Sequence, residues 1–265
     1  MSERVKIAIS DHVATVTLNR ADKRNAVDTA MFDALIAATD SIGSDSSVRA
    51  VVLHGDGHDF CAGVDISVFA GEGIGATVGE RMKPRTASGA NYFQSAAMCW
   101  RDLPVPVIAA LHGSAFGAGF QIAMGADIRY AAPNTRMSVM EIKWGLVPDM
   151  SITQTLRDLL PLDVAKELAF TGRVLSGLEA RELGLVTHVA DDPRAAALRL
   201  AEEIAGKSPS AIRAGKRLFE ESWHADAAVG LGLEASLQAG LIGSPNQIEA
   251  VKANFANRPP KFADE

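Results

Sequence analysis

The chain has 265 residues, of which 48% are hydrophobic and 22% are charged, and its formal net charge is −6. These proportions are ordinary for a globular protein, so they exclude a disordered chain. A chain of this length buries about three quarters of the surface that its unfolded form exposes, so one large core needs neither metals nor disulfides. The acidic balance argues against a nucleic-acid partner.

Cysteine content and the start of the chain predict its cellular location. Cys61 and Cys99 are too few for a disulfide framework, and the first ten residues contain no apolar segment that is typical of a secretory signal. We therefore expect a cytoplasmic protein.

One segment, residues 103–126, is long enough to cross a bilayer and contains no Asp, Glu, Lys or Arg. Two prolines open it, four glycines interrupt it, and His112, Ser114 and Gln121 would lie near the centre of the membrane. We interpret it as a buried strand, a turn and a short core helix, and we expect no membrane partner.

Strands predominate in the first half of the chain. Residues 5–9 and 13–18 alternate apolar and polar side chains and predict a β-hairpin. Asp28 is a predicted N-cap for a helix that extends to about residue 42. Residues 71–89 are rich in glycine and are predicted to be mobile. The remaining pattern predicts a strand, a helix, a strand, a short helix and a strand, over residues 49–53, 90–102, 105–111, 117–124 and 127–131.

The second half is predicted to be mostly helical. Apolar periodicity indicates helices over residues 152–160, 164–170, 178–183, 194–205, 209–222 and 225–241. No internal repeat or linker is visible, so we expect an α/β core over residues 1–200 and a helical region over residues 201–265, both in one domain assembly.

Two glycine-bearing turns could carry chemistry. Residues 60–65 and 113–121 each follow a predicted strand, and the second turn leads directly into a helix. Two backbone N–H groups aimed at one point can form an oxyanion hole. The alternative is that these glycines merely permit tight turns and close packing.

Two carboxylates lie downstream on either side of a glycine- and proline-containing loop. Glu141 lies among apolar residues, which raise the pKa of a carboxyl group toward the range useful for proton transfer at neutral pH. Asp149 follows a proline turn. Alternatively, Glu141 pairs with Arg136 or Lys143, and Asp149 caps the helix that starts near residue 151.

Other reactive side chains lack the pattern that their chemistry requires. Ser114 has no nucleophile-elbow motif around it, so hydrolysis is not predicted. No metal site is expected, because the histidines share no ligand spacing with the cysteines. Cys61 and Cys99 are interpreted as small buried hydrophobic residues.

Several segments, in order along nearly the whole chain, resemble the crotonase superfamily, which is the enoyl-CoA hydratase/isomerase family. They are Leu-Asn-Arg-Ala-Asp-Lys-Arg-Asn-Ala at 18–26, Phe-Cys-Ala-Gly-Val-Asp at 60–65, Pro-Val-Ile-Ala-Ala-Leu-His-Gly at 106–113, Gly-Ala-Gly at 117–119 and Gly-Leu-Val-Pro at 145–148. The resemblance implies a spiral of ββα units with a helical C-terminal trimerisation region. It also implies a homotrimer or homohexamer, an acyl-CoA thioester substrate and no tightly bound cofactor.

The resemblance also assigns roles to residues. It implies that the backbone N–H groups of Val64 and Ala118 form an oxyanion hole for a thioester enolate. Typical hydratases of the family carry two glutamates, at the positions of Gln121 and Glu141. A glutamine can contact water or substrate but cannot exchange a proton at neutral pH.

Asp149 lies at a position where the sequence is similar to the dienoyl-CoA isomerases. We therefore predict double-bond isomerisation of a dienoyl or enoyl fatty acyl-CoA, with Glu141 as the base and Asp149 as its partner acid. The alternatives are a 2-enoyl-CoA hydratase that uses Glu141 alone, and a non-catalytic acyl-CoA-binding protein.

The resemblance places coenzyme A along two loops. Lys23 and Arg24 are predicted phosphate contacts, although a solvated surface loop would have the same composition. The neighbouring turn is predicted to contribute Ala62, Asp65 and Ile66. Arg85 and Lys261 are weaker phosphate candidates, and Phe116 and Trp144 are candidates for the wall of the acyl pocket.

Overall fold

The computed structural model describes residues 4–65, 74–86 and 88–264, with side chains from residue 78 onward in the second range. Within these ranges the main sheet contains, from edge to edge, β1 (Val5–Ser10), β2 (Val13–Leu18), β3 (Ala50–Gly55), β4 (Val107–Leu111), β6 (Ile128–Ala131) and β8 (His188–Val189). β1 is antiparallel to β2, and the other neighbours are parallel. A second, two-stranded parallel sheet contains β5 (Ser114–Phe116) and β7 (Arg136–Ser138).

The helices lie between and after these strands in the sequence. They are α1 (Thr29–Gly43), α2 (Ile74–Arg81), α3 (Tyr92–Asp102), α4 (Ala118–Met124), α5 (Ile152–Thr155), α6 (Leu162–Thr171), α7 (Gly177–Leu183), α8 (Pro193–Ala205), α9 (Pro209–Ser222), α10 (Ala227–Leu241) and α11 (Pro245–Phe255). Ala21–Lys23 and Glu141–Trp144 form 3-10 turns. Among the described residues, no helix is long and apolar enough to span a membrane.

The predicted hairpin and the predicted start of α1 are both confirmed. Asp11 and His12 join β1 to β2 with φ angles of 48° and 67°. Positive φ at both central residues suits a two-residue hairpin turn, because its twist matches that of the strands. Asp28 caps α1 by accepting a hydrogen bond from the Met31 N–H at 2.8 Å, and it forms an ion pair with Arg4 at 2.7 Å.

The central strands β3 and β4 are buried on both faces of the main sheet, which explains why they are almost wholly apolar. Val51 and Leu53 of β3 pack into the cluster that includes α1 and α3. The alternate residues, Ala50 and Val52, pack on the opposite face against α8. Ala197, Ala201 and Ala205 provide that face of α8, so the boundary predicted after residue 200 falls inside a helix that belongs to the core layer.

The C-terminal helices leave much apolar surface uncovered in the single chain. α9 packs against α10, yet α10 contains no buried residue. The exposed large apolar side chains of this region include Phe219, Trp223, Val229, Leu231, Ile242 and Phe255.

A buried arginine ties the last residues of the described chain to the main sheet. Arg49 precedes β3 and is 7% exposed. Its guanidinium forms an ion pair with Asp264 at 2.7 Å and donates to the carbonyl oxygens of Phe262 and Ala205. Three acceptors from the C-terminal region therefore satisfy one charge in the core.

The structure also contains elements that the sequence did not predict. β5, β7 and β8 have two or three residues each, too few for a periodic pattern. Within the segment predicted to be mobile, residues 74–81 form a helix that the sequence did not predict, because its glycines lower helix propensity. Residues 71–73 and 87 of that segment lie outside the described residues. α11 was missed, although Ser244 and Pro245 are a typical helix start. The helix predicted over 152–160 ends as α5 at residue 155.

Candidate active site

The two glycine-bearing turns lie side by side. Cys61 pairs in parallel with Ala115 of β5. Val64 lies three residues after Cys61, and Ala118 lies three residues after Ala115. Because the two segments run in the same direction from this pair, Val64 and Ala118 occupy corresponding positions on neighbouring segments. A Cβ atom built on Gly63 would lie 4.0 Å from the backbone nitrogen of Ala118.

Two glycines permit this close approach. Gly63 has a φ of 102°, and a Cβ there would meet the Phe116 carbonyl oxygen at 3.0 Å. A Cβ on Gly119 would lie 2.5 Å from the Cys61 carbonyl oxygen. Any side chain at residue 119 would therefore push the turns apart, so the glycines do serve close packing, and that packing holds the two turns side by side.

Neither the Val64 N–H nor the Ala118 N–H donates to an acceptor among the described residues. The Gly63 carbonyl oxygen accepts from the Val27 N–H at 2.8 Å, and a trans peptide points the following N–H of Val64 in the opposite direction. The Gly117 carbonyl oxygen likewise accepts from the Gln121 N–H at 3.0 Å, which orients the Ala118 N–H. Two fixed backbone donors can stabilise one oxyanion.

Gln121, on α4, links the acidic residues to this part of the molecule. It is 1% exposed. Its Nε2 donates to Glu141 Oε1 at 2.7 Å, and its Oε1 accepts from the Met150 N–H at 2.8 Å. One amide thus bridges the two ends of the loop that contains both predicted acids.

Glu141 begins the 3-10 turn after β7 and lies beside Gly117. A Cβ on Gly117 would be 3.3 Å from Glu141 Oε1, so the carboxylate is next to the residue that precedes Ala118. Burial raises the pKa of Glu141, and the charge of Asp149 raises it further, whereas the hydrogen bond from Gln121 lowers it. Glu141 Oε2 is buried and has no hydrogen-bond partner among the described residues.

The predicted ion-pair alternative for Glu141 is wrong. The Arg136 guanidinium lies over the Phe116 ring, 5.5 Å from its centroid, and the Lys143 ammonium lies over the Trp144 ring at 5.8 Å. Neither cation forms an ion pair with Glu141, so its burial is not compensated by an adjacent positive charge.

Asp149 is the second predicted acid. Burial raises its pKa, and its charge acts on Glu141. The alternative that Asp149 caps a helix is also wrong, because Ser151 is the N-cap of α5 and no side chain caps that helix start. Gln121 therefore contacts Glu141 directly, and Asp149 precedes the Met150 N–H that Gln121 accepts from and is near enough for its charge to act on Glu141.

The predicted coenzyme A loop is held to the turn at residues 62–65 by its own hydrogen bonds. Arg24 forms a bidentate ion pair with Asp59 at 2.7 and 3.0 Å and also donates to Ser114 Oγ at 2.8 Å. Its carbonyl oxygen accepts from the Ala62 N–H at 2.9 Å. Asp59 thus neutralises much of the charge that we assigned to phosphate binding, whereas the neighbouring Lys23 is exposed.

The remaining predicted contact residues differ in their partners and in their exposure. Asp65 forms an ion pair with Arg20 at 2.6 Å, an anchoring role that the sequence did not reveal. Ile66 lies outside the described residues. Arg85 lies over the Tyr92 ring at 5.3 Å, Lys261 is exposed, Phe116 is buried and Trp144 is 58% exposed.

Cys61, Ser114 and His112, the other reactive side chains considered in the sequence, each have partners of their own. In the described ranges, no cluster of His, Cys, Asp and Glu could hold a metal ion. Burial raises the pKa of Cys61 to about 12, and its thiol donates to the Asn25 carbonyl oxygen. Ser114 Oγ accepts from Arg24, and His112 Nε2 contacts the Gly57 carbonyl oxygen, so these two side chains form no nucleophile and base pair.

Comparison with known proteins gives consistent matches along the chain. A family model described as enoyl-CoA hydratase/isomerase matches residues 8–265. The mitochondrial methylglutaconyl-CoA hydratase of Mus musculus is 31% identical over 263 residues, which are 96% of this chain and 80% of that protein. Enoyl-CoA hydratase EchA19 of Mycobacterium tuberculosis is 30% identical over 253 residues, covering 95% and 93%.

A solved structure supports the same relationship. The crystal structure of an enoyl-CoA hydratase from Bacillus anthracis matches with a TM-score of 0.90 and 29% identity, covering 99% of this chain and 100% of that one. The predicted α/β fold with a mostly parallel sheet and C-terminal helices is confirmed. The relatives named above are hydratases, so the similarity to dienoyl-CoA isomerases stays a prediction.

Proposed function

Because this chain is an acyl-CoA enzyme of the enoyl-CoA hydratase/isomerase family, we propose that it moves a double bond along an unsaturated acyl-CoA. The substrate is a dienoyl or enoyl fatty acyl-CoA thioester. Glu141 is the base, Asp149 is the partner acid, and the Val64 and Ala118 N–H groups hold the thioester oxygen.

The placement of the Glu141 carboxylate carries this proposal. The carboxylate adjoins Gly117, one residue before a backbone donor that has no acceptor in the described chain. Its Oε2 is buried and unbonded, and its pKa is raised by burial. A carboxylate that is poorly solvated and close to an oxyanion site is suited to removing a proton from carbon.

The reaction is a balanced proton relocation. The Glu141 carboxylate takes a proton from a carbon conjugated with the thioester, and the electron pair of that C–H bond delocalises onto the thioester oxygen. The two N–H groups stabilise this negative charge. A proton then returns to a different carbon, either directly from the acid form of Glu141 or from a protonated Asp149, which afterwards regains the proton that Glu141 removed. The double bond shifts, and both carboxyl groups end in their starting states.

Hydration of a 2-enoyl-CoA is the second candidate, because the relatives described above are named hydratases. In that reaction Glu141 alone would have to activate water and supply the proton to carbon. Gln121 gives limited help, since its amide already bonds to Glu141 and to the Met150 N–H. This arrangement supports isomerisation over two-acid hydration.

Parallel assays with two substrates test the choice. The purified protein is mixed with a 3,5-dienoyl-CoA and with a 2-enoyl-CoA, and products are separated by chromatography and mass spectrometry. Diene turnover without a mass increase is the expected result. Addition of one water to the 2-enoyl-CoA, with no turnover of the diene, would replace isomerisation by hydration. Binding of both thioesters without turnover would support a non-catalytic acyl-CoA-binding protein.

Coenzyme A binding and assembly are parts of the same proposal. Lys23 is the exposed cation of the 3-10 turn at Ala21–Lys23 and a phosphate contact in this proposal. The uncovered apolar side chains of α9 to α11 support a homotrimer or homohexamer. Light scattering after size-exclusion chromatography tests the assembly, and a monomer at micromolar concentration would reject it.

A further inference from the structure

We propose that Gln121 is a positioning residue that selects one oxygen of Glu141 for proton transfer and thereby favours isomerisation over hydration. The claim about selectivity rests on the proposed function, whereas the claim about positioning does not. Both start from the two hydrogen bonds of one buried amide.

The orientation of the Gln121 amide follows from its neighbours. The Met150 N–H is a donor only, so the amide atom that faces it at 2.8 Å must be the oxygen. The amide nitrogen consequently faces Glu141 Oε1 at 2.7 Å and donates to it. With residue 121 only 1% exposed, water cannot readily replace either partner.

This contact makes the two oxygens of Glu141 unequal. Oε1 accepts the amide hydrogen, so a proton carried by Glu141 is placed on Oε2. Oε2 is also the oxygen that is buried without a hydrogen-bond partner in the described chain. The geometry therefore leaves a single oxygen to accept the substrate proton and to return it.

Among the described residues, few charged groups act on this carboxylate. Asp149 raises the pKa of Glu141 by its charge. The cations on the adjacent elements, Arg136 of β7 and Lys143 of the 3-10 turn, lie over the rings of Phe116 and Trp144. Backbone hydrogen bonds at Glu141 and Met140 also lower the pKa of Glu141, and the Gln121 hydrogen bond is the side-chain contribution in the same direction.

A glutamate at residue 121 would change both the proton inventory and the contact. One of its oxygens would still accept from the Met150 N–H, and the other would face Glu141 Oε1 across the same short distance. Two carboxyl groups in such contact share one proton, which strongly raises one pKa. The pair would then hold an extra exchangeable proton, as water addition by two acids requires.

Direct titration tests the positioning claim without any substrate. Protein labelled with carbon-13 at the glutamate carboxyl is titrated by NMR, and the Glu141 signal is identified by its loss in Glu141→Gln. We expect the Glu141 pKa to rise in Gln121→Met, which removes the donor, and to rise by about one pH unit or more in Gln121→Glu. Gln154→Glu is the matched control, because Gln154 is exposed and its side chain contacts only Thr153 among the described residues.

The same variants test selectivity. We expect the ratio of hydration to isomerisation to rise about tenfold or more in Gln121→Glu and to stay unchanged in Gln154→Glu. An unchanged Glu141 titration in both folded Gln121 variants would overturn the positioning role. If Gln121→Met fails to fold, Gln121→Glu decides, since it keeps an acceptor for the Met150 N–H. A shifted titration with no acyl-CoA turnover in any protein would support positioning and reject the proposed function.

Discussion

The two glycine-bearing turns, residues 60–65 and 113–121, meet the acid loop, residues 141–149, at Gly117. The turns and the acid loop are built in different ways. The turns present backbone N–H groups whose directions are set by the hydrogen bonds of the preceding carbonyl groups. The acid loop presents side chains, and Gln121 holds Glu141 near the Met150 backbone through one amide. Except at Gly63 and Gly119, where a side chain would push the turns apart, a side-chain substitution leaves the backbone donors of the turns in place. A substitution in the acid loop alters a contact directly.

This difference teaches where chemistry can change without a change of fold. Ala118 supplies an N–H as well as a glycine would, because the donor is part of the backbone. Glutamine in place of glutamate at residue 121 removes a proton carrier while keeping a hydrogen bond to Glu141. We expect the turns to determine the class of intermediate and the acid loop to determine the product.

The largest expected effect tests the acid loop. Glu141→Gln should lower kcat for isomerisation by about 10²–10⁴-fold, because an amide that cannot accept the substrate proton replaces the carboxylate. Steady-state kinetics with a dienoyl-CoA measures this loss. Glu202→Gln, at an exposed position of α8, is the control. Activity within a few-fold of wild type would remove Glu141 from the role of base.

The next effect tests the turns by deleting a donor. Ala118→Pro removes the N–H at the first residue of α4, where helices tolerate proline. We expect kcat to fall by about 10²–10³-fold, as after loss of one oxyanion donor. Ala118→Ser retains the N–H and should remain active. Equal activity in the folded proline and serine variants would contradict the oxyanion assignment.

A smaller effect separates the two acids of the loop. Asp149→Asn should lower isomerisation by about 10²-fold, because the partner acid is lost, and should lower the pKa of Glu141, because a nearby negative charge is lost. The pH profile of kcat/KM shows both changes, with its acidic limb moving to lower pH. Asp191→Asn is an exposed control. An unmoved limb would show that the charge of Asp149 does not influence the base.

The smallest effect concerns stability. Burial raises the folded-state pKa of Glu141, so protonation of Glu141 stabilises the folded state of the wild type at low pH. This contribution to the free energy of unfolding is lost as pH rises through the folded-state pKa. Glu141→Gln should therefore melt above the wild type at pH 8, by about 3 °C for a difference of about 1 kcal/mol. Thermal melts at pH 8 and pH 4 measure the contrast. If the advantage of Glu141→Gln over the wild type in melting temperature were larger at pH 4 than at pH 8, the proposed effect of burial would have the wrong sign.

Local patterns in the sequence predicted the parts of the fold that depend on residues close to one another along the chain. Alternation gave the hairpin of β1 and β2, and Asp28 marked the start of α1. The pairing of Cys61 with Ala115 joins segments far apart in sequence, and no spacing rule reveals it.

The residues of the candidate site could be predicted, but the contacts between them could not, because those contacts also join segments far apart in sequence. Family resemblance pointed to Val64, Ala118, Glu141 and Asp149, and the structure brings their segments together. The bridge from Gln121 to the Met150 N–H depends on backbone geometry 29 residues away, so the sequence could not show it. The engagement of Arg24 by Asp59 was hidden likewise, since a basic loop has the same composition whether its charges are free or paired.

The tie between Arg49 and the C-terminal residues has a consequence for the order of folding. Arg49 precedes its partners Phe262 and Asp264 by 213 and 215 residues in the sequence. During synthesis, the strand that follows Arg49 emerges long before these acceptors, and contacts of such long range are slow to form. The sheet can therefore assemble early, but its buried guanidinium gains its carboxylate only when the last part of the described chain docks. Closure of the core is thus a late step that is coupled to the arrival of the tail.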